Sequence, residues 1–358
     1  MTSTNLTIEM NTLREWLEQG RPVLILDVRP AEERAEWAIP GSIHVDAYHA
    51  LKAGDPQALA SFEVPGNVPV ITICGAGKTS LIAAEQLQAR GALARSLKGG
   101  MQAWSLAWNA AEVTLSGSAA RVIQVRRTGK GCLSYLIGTD GNAVVIDPAL
   151  DPDVYRDLAQ RQGWQITHVL ETHLHADHLS RARALSEQSG AALLLPTGHR
   201  VAAQFTPLAD GETIAIGAAR LRVLHTPGHT PESSCYLLDD AALFTGDTLF
   251  LSAVGRPDLH ASQAGAREKA VSLYRSLQRL LQLDPGLLVL PGHTSEPIAF
   301  NGEPIVAPLG AIHESLPLLG ESEATFVDKI LARIPPTPPN HEQIVKAGFD
   351  LTHFADRN

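Results

Sequence analysis

The sequence is short of cysteine, of basic clusters and of long apolar runs, and each shortage removes a class of protein. Only three cysteines occur, Cys74, Cys132 and Cys235. They are too far apart for a disulfide framework or a zinc-ribbon spacing, so each thiol has to be weighed alone. No apolar run approaches the roughly 20 residues that a bilayer crossing needs, which excludes a membrane span. The net charge of -9 and the lack of clustered Lys and Arg argue against nucleic acid as a partner, because such clusters are what neutralise phosphates. A basic start followed by an apolar core is missing from "MTSTNLTIEMNTLREWLEQG", which reads as the lead-in to an amphipathic helix, so the expectation is a cytoplasmic protein.

What is there is a balanced globular composition, 44% apolar and 19% charged, over 358 residues, enough for two domains. From about 105 to 120 periodicity fades and residues turn small and polar, as in a linker, which places the domains at 1–112 and 118–358. Upstream, β-branched runs such as "VLILDVR" and "VPVITIC" alternate with helical stretches such as "AEERAEWA" and "SLIAAEQLQARG". That is the pattern of a small α/β domain with a mostly parallel sheet. Downstream, three strand-like runs broken by "TGKG" and "TDGN" give way to strand-loop-helix units.

Cys74 ends an apolar strand, and "GAGKTS" leads straight into a helix. Glycines let backbone N–H groups turn inward and the helix N-terminus adds partial positive charge, so an anion on the sulfur is stabilised and the thiolate becomes a nucleophile. The loop Gly75, Ala76, Gly77, Lys78 and Thr79 has no arginine fork, Arg90 being the next arginine, which favours sulfane-sulfur transfer over phosphate chemistry. With "LDVRPAEERAEWAIPGSIHVD" and "LKGGMQAW" on either side, residues 5 to 110 closely resemble the rhodanese (sulfurtransferase) domain. The resemblance implies a persulfide on Cys74, a structural role for Asp27 and Arg29, and a closing motif at Gly99, Gly100 and Trp104. Many family members carry arginine where Thr79 stands, so donor identity stays open.

The stretch "ETHLHADHLS" packs His173, His175, Asp177 and His178 into six positions, just past a strand-like run. His229 in "HTPGHT", Asp247 in "FTGDTLF" and His293 in "LPGHT" follow strand-like runs too. Seven imidazole and carboxylate donors at strand ends suit zinc or iron, and the absence of clustered cysteine argues against a structural thiolate site. Cys132 and Cys235 read as interior hydrophobes, and His199, His225 and His260 as non-ligands.

This ordered set resembles the metallo-β-lactamase superfamily over residues 120 to 358, which implies an αββα sandwich. The resemblance implies two arrangements. In one, two zincs use His173, His175 and His229 at one site and Asp177, His178 and His293 at the other, with Asp247 bridging. In the other, a single Fe(II) is held by His173, His229 and Asp247, as in the persulfide dioxygenases, with His175, Asp177, His178 and His293 around it. "FVDKILARIPPTPPNHEQIVKA" is similar to the dioxygenases' ending, and rhodanese domains are known to be fused to them, which favours iron. Arg256 in "VGRPD" corresponds to the family's arginine there and is expected to shape the substrate pocket, with Asp258 locking it.

The expected partners are a glutathione-type persulfide, thiosulfate and O2, and homo-oligomerisation is compatible with the sequence. The alternative is a dinuclear zinc thioesterase of the glyoxalase II-like group with an appended rhodanese domain. A redox sensor using Cys74 finds no resolving cysteine or DNA-binding motif in support.

Overall fold

The computed structural model describes residues 6–175, 179–198, 203–258, 263–296 and 298–332. Asp177, His178, His199, His260 and most of the C-terminal stretch that resembles the dioxygenases lie outside them. Among the described residues no helix is long and apolar enough to cross a membrane. The chain forms two compact units, one of residues 1–110, 126–131 and 295–302, the other of 111–125, 132–294 and 303–358.

The first unit runs β1 (Thr7–Ile8), α1 (Met10–Glu18), β2 (Leu24–Asp27), α2 (Ala31–Glu36), β3 (Ile43–His44), α3 (Tyr48–Lys52), β4 (Val70–Ile73), α4 (Thr79–Ala89), β5 (Ala94–Leu97) and α5 (Gly100–Trp104). Its five strands are parallel in the order β1-β5-β4-β2-β3. β4 has all four residues buried, as a strand covered by helices on both faces must be. Asp27 and Arg29 form a buried fork, Nε on Oδ1 at 3.0 Å and Nη2 on Oδ2 at 2.7 Å, and Nη2 also donates to Trp37 O at 2.8 Å. Burial pushes the Asp27 carboxyl up, but the bonds and charges of Arg29 and Arg34 outweigh it and hold it below the ordinary range. The pair therefore ties β2 to the turn around α2.

The second unit is a sandwich. One sheet has the order β12-β11-β10-β9-β8-β7-β6, from β6 (Trp108–Val113), β7 (Arg121–Arg127), β8 (Leu133–Thr139), β9 (Asn142–Ile146), β10 (Gln165–Leu170), β11 (Ala192–Pro196) and β12 (Thr206–Leu208). The other has the order β13-β14-β15-β16-β17-β18, from β13 (Thr213–Ile216), β14 (Ala219–His225), β15 (Ser234–Leu238), β16 (Ala242–Gly246), β17 (Leu288–Pro291) and β18 (Ala307–Pro308). Helices α6 (Pro152–Arg161), α7 (Ala182–Ser189), α8 (Gln263–Leu280), α9 (Leu309–Ser315) and α10 (Glu323–Leu331) complete it. The αββα sandwich expected of this half is present. The two units divide between 110 and 111, inside the stretch that reads as a linker or domain boundary, and β6 runs through that division. Asn109, Ala111 and Val113 alternate inward, but a buried asparagine and an alanine do not make an apolar period that a sequence displays.

Buried Tyr155 on α6 fixes the turn that follows β9. Its hydroxyl accepts from Ala149 N at 2.9 Å and Leu150 N at 3.2 Å and shares a hydrogen with Ser134 Oγ at 2.8 Å. Desolvation pushes this phenol up to about 12, so it stays neutral. Replacing Tyr155 with Phe keeps the ring and strands two amide donors. The expected loss is about 1–3 kcal/mol of unfolding free energy, with an unchanged denaturant slope, measured by urea titration.

Candidate metal centre and thiol loop

The second unit gathers its polar side chains where strands end. His173 follows β10, His229 lies between β14 and β15, Asp247 follows β16 and His293 follows β17. The donor atoms of His173, His229 and Asp247 lie within 4.8 Å of one another. Nε2 of His173 is 3.9 Å and Nε2 of His229 3.8 Å from Asp247 Oδ2. Both are too long for hydrogen bonds, and both fit within the roughly 4.2 Å that two metal–ligand bonds of about 2.1 Å can span.

Neighbours decide which ring nitrogens carry hydrogen. Thr172 Oγ1 donates to Asp147 Oδ2 at 2.7 Å, so toward His173 Nδ1, 2.9 Å away, it can only accept. His229 Nδ1 lies 2.9 Å from the Arg256 carbonyl, which also only accepts. When neutral, each ring holds its hydrogen on Nδ1, and Nε2 turns a lone pair toward the Asp247 carboxylate. Two ring lone pairs and a carboxylate oxygen converge there, and a cation satisfies such a set. Two imidazole nitrogens and one carboxylate oxygen fit Fe(II) or Zn.

Asp247 is oriented in turn by His293, whose Nδ1 lies 2.7 Å from Oδ1. The His229 loop is pinned by α8. Ser276 Oγ donates to Pro227 O at 2.7 Å, and Gly228, at φ +150°, lies so close that a Cβ there would fall 2.4 Å from Leu273 Cα. Only glycine fits.

His175 enters a different group. Its Nε2 sits 2.7 Å from Glu171 Oε2 and 3.2 Å from Asp147 Oδ1, and all three side chains are buried. These are hydrogen-bond lengths, so the three form a salt-bridged set although their atoms lie close enough to suggest a second ion. Burial opposes the imidazolium, but Glu171 and Asp147 outweigh it and push His175 well above its usual range. Burial raises the Glu171 carboxyl, and the charge of His175 offsets this only in part. Asp147 goes the other way, because His175 and the Thr172 amide, 2.6 Å from Oδ1, outweigh its burial. Ser180 Oγ donates to Glu171 as well.

Asp147, Glu171, Thr172 and Glu232 escape the sequence reading. Glu232, 8% exposed, accepts from Leu174 N at 3.0 Å, the amide between His173 and His175. Glu171 directly precedes "THLH" and Asp147 closes "VVID", so position was the available signal. The Arg256 guanidinium forks onto Asp258 at 2.9 and 2.6 Å, which matches the expected lock, while its carbonyl holds His229.

In the first unit Cys74 follows β4, and its side chain is 2% exposed. Gly100, at φ +55°, lets α5 approach so closely that a Cβ there would fall 2.1 Å from Cys74 O. Met101 N donates to that carbonyl at 2.9 Å and Gln102 N to Gly75 O at 3.0 Å. Ala76 and Lys78 are exposed at the mouth of the loop, and Thr79 is buried. Ser80 Oγ donates to Cys74 Sγ at 3.3 Å. Cys132 and Cys235 are buried thiols outside any disulfide, and burial pushes the Cys235 thiol up to about 11.

Comparison with known proteins matches residues 127–293 to the metallo-beta-lactamase superfamily and residues 9–107 to the rhodanese-like domain. A hydroxyacylglutathione hydrolase of Methylococcus capsulatus is 34% identical over 214 residues, 57% of this chain and 80% of that protein. One from Anaeromyxobacter dehalogenans is 37% identical over 171 residues, 47% of this chain. The chain covers 63% of that relative's length and 52% of the Rhizobium etli protein's. Among solved structures, ETHE1 from Myxococcus xanthus superposes with a TM-score of 0.55 at 31% identity, over 66% of this chain and 97% of that one. A metallo-beta-lactamase from Staphylococcus aureus gives 0.59 at 28% identity, over 65% and 74%.

Thr172→Val keeps the shape of the side chain and removes the hydroxyl that fixes both the His173 tautomer and Asp147. Metal affinity is expected to fall about ten- to a hundredfold, measured by chelator competition, and the metal-free melting temperature to drop by several degrees because Asp147 loses a buried donor.

Proposed function

The chain belongs to the metallo-β-lactamase superfamily and carries a rhodanese-like domain ahead of that fold, and from that premise we propose that it oxidises a glutathione-type persulfide to sulfite with O2. Sulfane-sulfur transfer at Cys74 is the second half of the proposal. In the balanced reaction a persulfide, O2 and water give the thiol, sulfite and two protons. The carrying observation is the convergence of ligand atoms of His173, His229 and Asp247 within 4.8 Å of one another, with both rings turned by partners on Nδ1. Two imidazoles and one carboxylate are the facial set of non-haem Fe(II) oxygenases, and a bound Fe(II) supplies open positions for O2 and a sulfur ligand.

The chain's own residues hold that set in shape. Thr172 and the Arg256 carbonyl fix the two rings, and His293 turns Asp247 so that Oδ2 faces the imidazoles. His175 has its Nε2 engaged by Glu171 and Asp147 and orients the loop. The likeness to ETHE1 across nearly the whole of that chain supports the same reading. In the first unit, the Cys74 thiolate takes a sulfane sulfur as the donor's bond to it breaks and the donor leaves with the electron pair. Sulfite attacking the outer sulfur releases thiosulfate and restores the thiolate.

A second reading is favoured by the hydroxyacylglutathione hydrolase relatives. In it His173, His175 and His229 would hold one zinc and Asp177, His178 and His293 a second, with Asp247 shared, and the pair would supply an activated water for hydrolysis of a glutathione thioester. Metal analysis of protein purified under low oxygen separates the two. About one iron per chain is expected, with O2 consumption on glutathione persulfide. About two zincs per chain with hydrolysis of S-lactoylglutathione overturns the oxidation.

The two activities should also separate by mutation. Cys74→Ser is expected to abolish thiosulfate formation from added persulfide and sulfite while leaving O2 consumption on added persulfide within about twofold, and Asp247→Ala to do the reverse, followed with an oxygen electrode and a thiocyanate assay.

A further inference from the structure

Cys74 Sγ is one end of a chain of buried hydroxyls that the transfer chemistry above does not use. Ser80 Oγ, on the first turn of α4, lies 3.3 Å from the sulfur. Ser96 Oγ, on β5, lies 2.8 Å from Ser80 Oγ and 3.4 Å from Gly77 O in the loop. Both serines are fully buried. The chain is held from below by Thr72 on β4, which stands opposite Ser96 in the parallel register and donates to Ser80 O at 2.7 Å.

Each hydroxyl has one hydrogen to give, and a buried hydroxyl is expected to give it. With a thiolate, two hydrogens are available. Ser80 donates to sulfur, and the short Ser80–Ser96 contact then needs Ser96 to donate to Ser80. With a neutral thiol there are three. The S–H group donates to Ser80, Ser80 to Ser96, and Ser96 to the Gly77 carbonyl. Each state satisfies the chain in one direction only, and the directions are opposite. A hydrogen aimed at Gly77 O while sulfur is charged would leave two oxygens facing each other at 2.8 Å with nothing between them.

We propose that Ser80 and Ser96 form a reversible hydroxyl chain that turns its hydrogens toward Cys74 when the sulfur is charged and away when it is not, Ser96 acting as a positioning residue through Ser80. No hydrogen is passed along the chain. The one lost from sulfur leaves to solvent, and the two hydroxyls rotate in place. Sulfur transfer takes Sγ from thiolate to persulfide, a neutral sulfur with no hydrogen of its own, and back; with the charge gone, Ser80 turns to Ser96 and Ser96 to the Gly77 carbonyl without moving a heavy atom. The relevance to turnover rests on the proposed role of Cys74 as sulfur carrier, whereas the chain itself does not.

The test is the ultraviolet thiolate absorbance of the full chain against pH, taken as the difference from the same protein carrying Cys74→Ser. Ser80→Ala is expected to leave about tenfold less thiolate on the acid limb of the profile, and Ser96→Ala about threefold less, because a bond to a charged sulfur is lost in one and weakened in the other. Ser96→Thr keeps the hydroxyl and is expected to restore the wild-type profile. A Ser96→Ala profile that overlays the wild type, or a shift that Ser96→Thr shares, overturns the chain. Should Ser96→Ala fail to fold, an unshifted Ser80→Ala profile or a shifted Ser96→Thr profile does the same. Wild-type protein that transfers no sulfur yet shows these shifts sinks the carrier role and leaves the chain standing.

Discussion

Asp147 and Glu171 carry two carboxylates into a place water does not reach, and the second unit's chemistry depends on how they are satisfied. A buried carboxylate without partners costs several kcal/mol, so each available donor around it becomes a constraint on the fold. The His175 ring serves both carboxylates. The Thr172 amide and hydroxyl serve Asp147, and Ser180 serves Glu171. Those donors sit at the end of β10 and on the way into α7, while Asp147 closes β9. Satisfying the charges therefore fixes where the two strand ends lie. His173, next to Thr172, inherits its position and its tautomer from that requirement.

This dependence explains which parts of the site were legible in the sequence. His173, His229, Asp247 and His293 could be read because residue type and placement after apolar runs both point to a donor at a turn. Cys74 could be read for the same reason, between a strand and glycines. Thr172, Ser80 and Ser96 could not. A hydroxyl looks alike whether it faces solvent or completes a buried network, and Ser96 reaches Ser80 only because β5 lies beside β4. Glu171 and Asp147 carry the same ambiguity as any acid next to a turn. The Arg256 carbonyl lies further out of reach, since every residue has one and only the fold decides which meets His229. The strand β6 stayed hidden because its inward positions are filled by Asn109 and Ala111, and the buried guanidinium of Arg126, whose Nε donates to Asn109 at 2.7 Å, supplies the partner that makes that asparagine tolerable.

The two sites meet opposite electrical demands in opposite ways. Around Asp247 the acceptors are locked. Carbonyl, hydroxyl and imidazole partners hold each ring in one tautomer, which suits a positive charge that stays. Around Cys74 the donors rotate. In the proposed sulfur transfer Sγ there alternates between charged and neutral, and a locked set of dipoles would favour one state at the expense of the other. Rigid acceptors for a resident cation and adaptable hydroxyls for a transient anion are both forms of preorganisation, matched to how long the charge remains.

The same reasoning bears on how many ions the second unit serves. Counting residue types gives enough donors for two, because His175 and His293 are as good ligands on paper as His173. Counting atoms shows which nitrogen of each ring is left to serve. Nε2 of His175 is spent on Glu171 and Asp147, and Nδ1 of His293 is spent on Asp247. An imidazole that donates to a carboxylate through one nitrogen presents only the other, and a carboxylate turned by such a donor presents only its remaining oxygen. In the trio every outward atom is already an acceptor, and in the His175 group every carboxylate already has its donors. The trio therefore presents ligand atoms for one ion, and the same counting leaves Nδ1 as the ligand atom of His175 and Nε2 as that of His293.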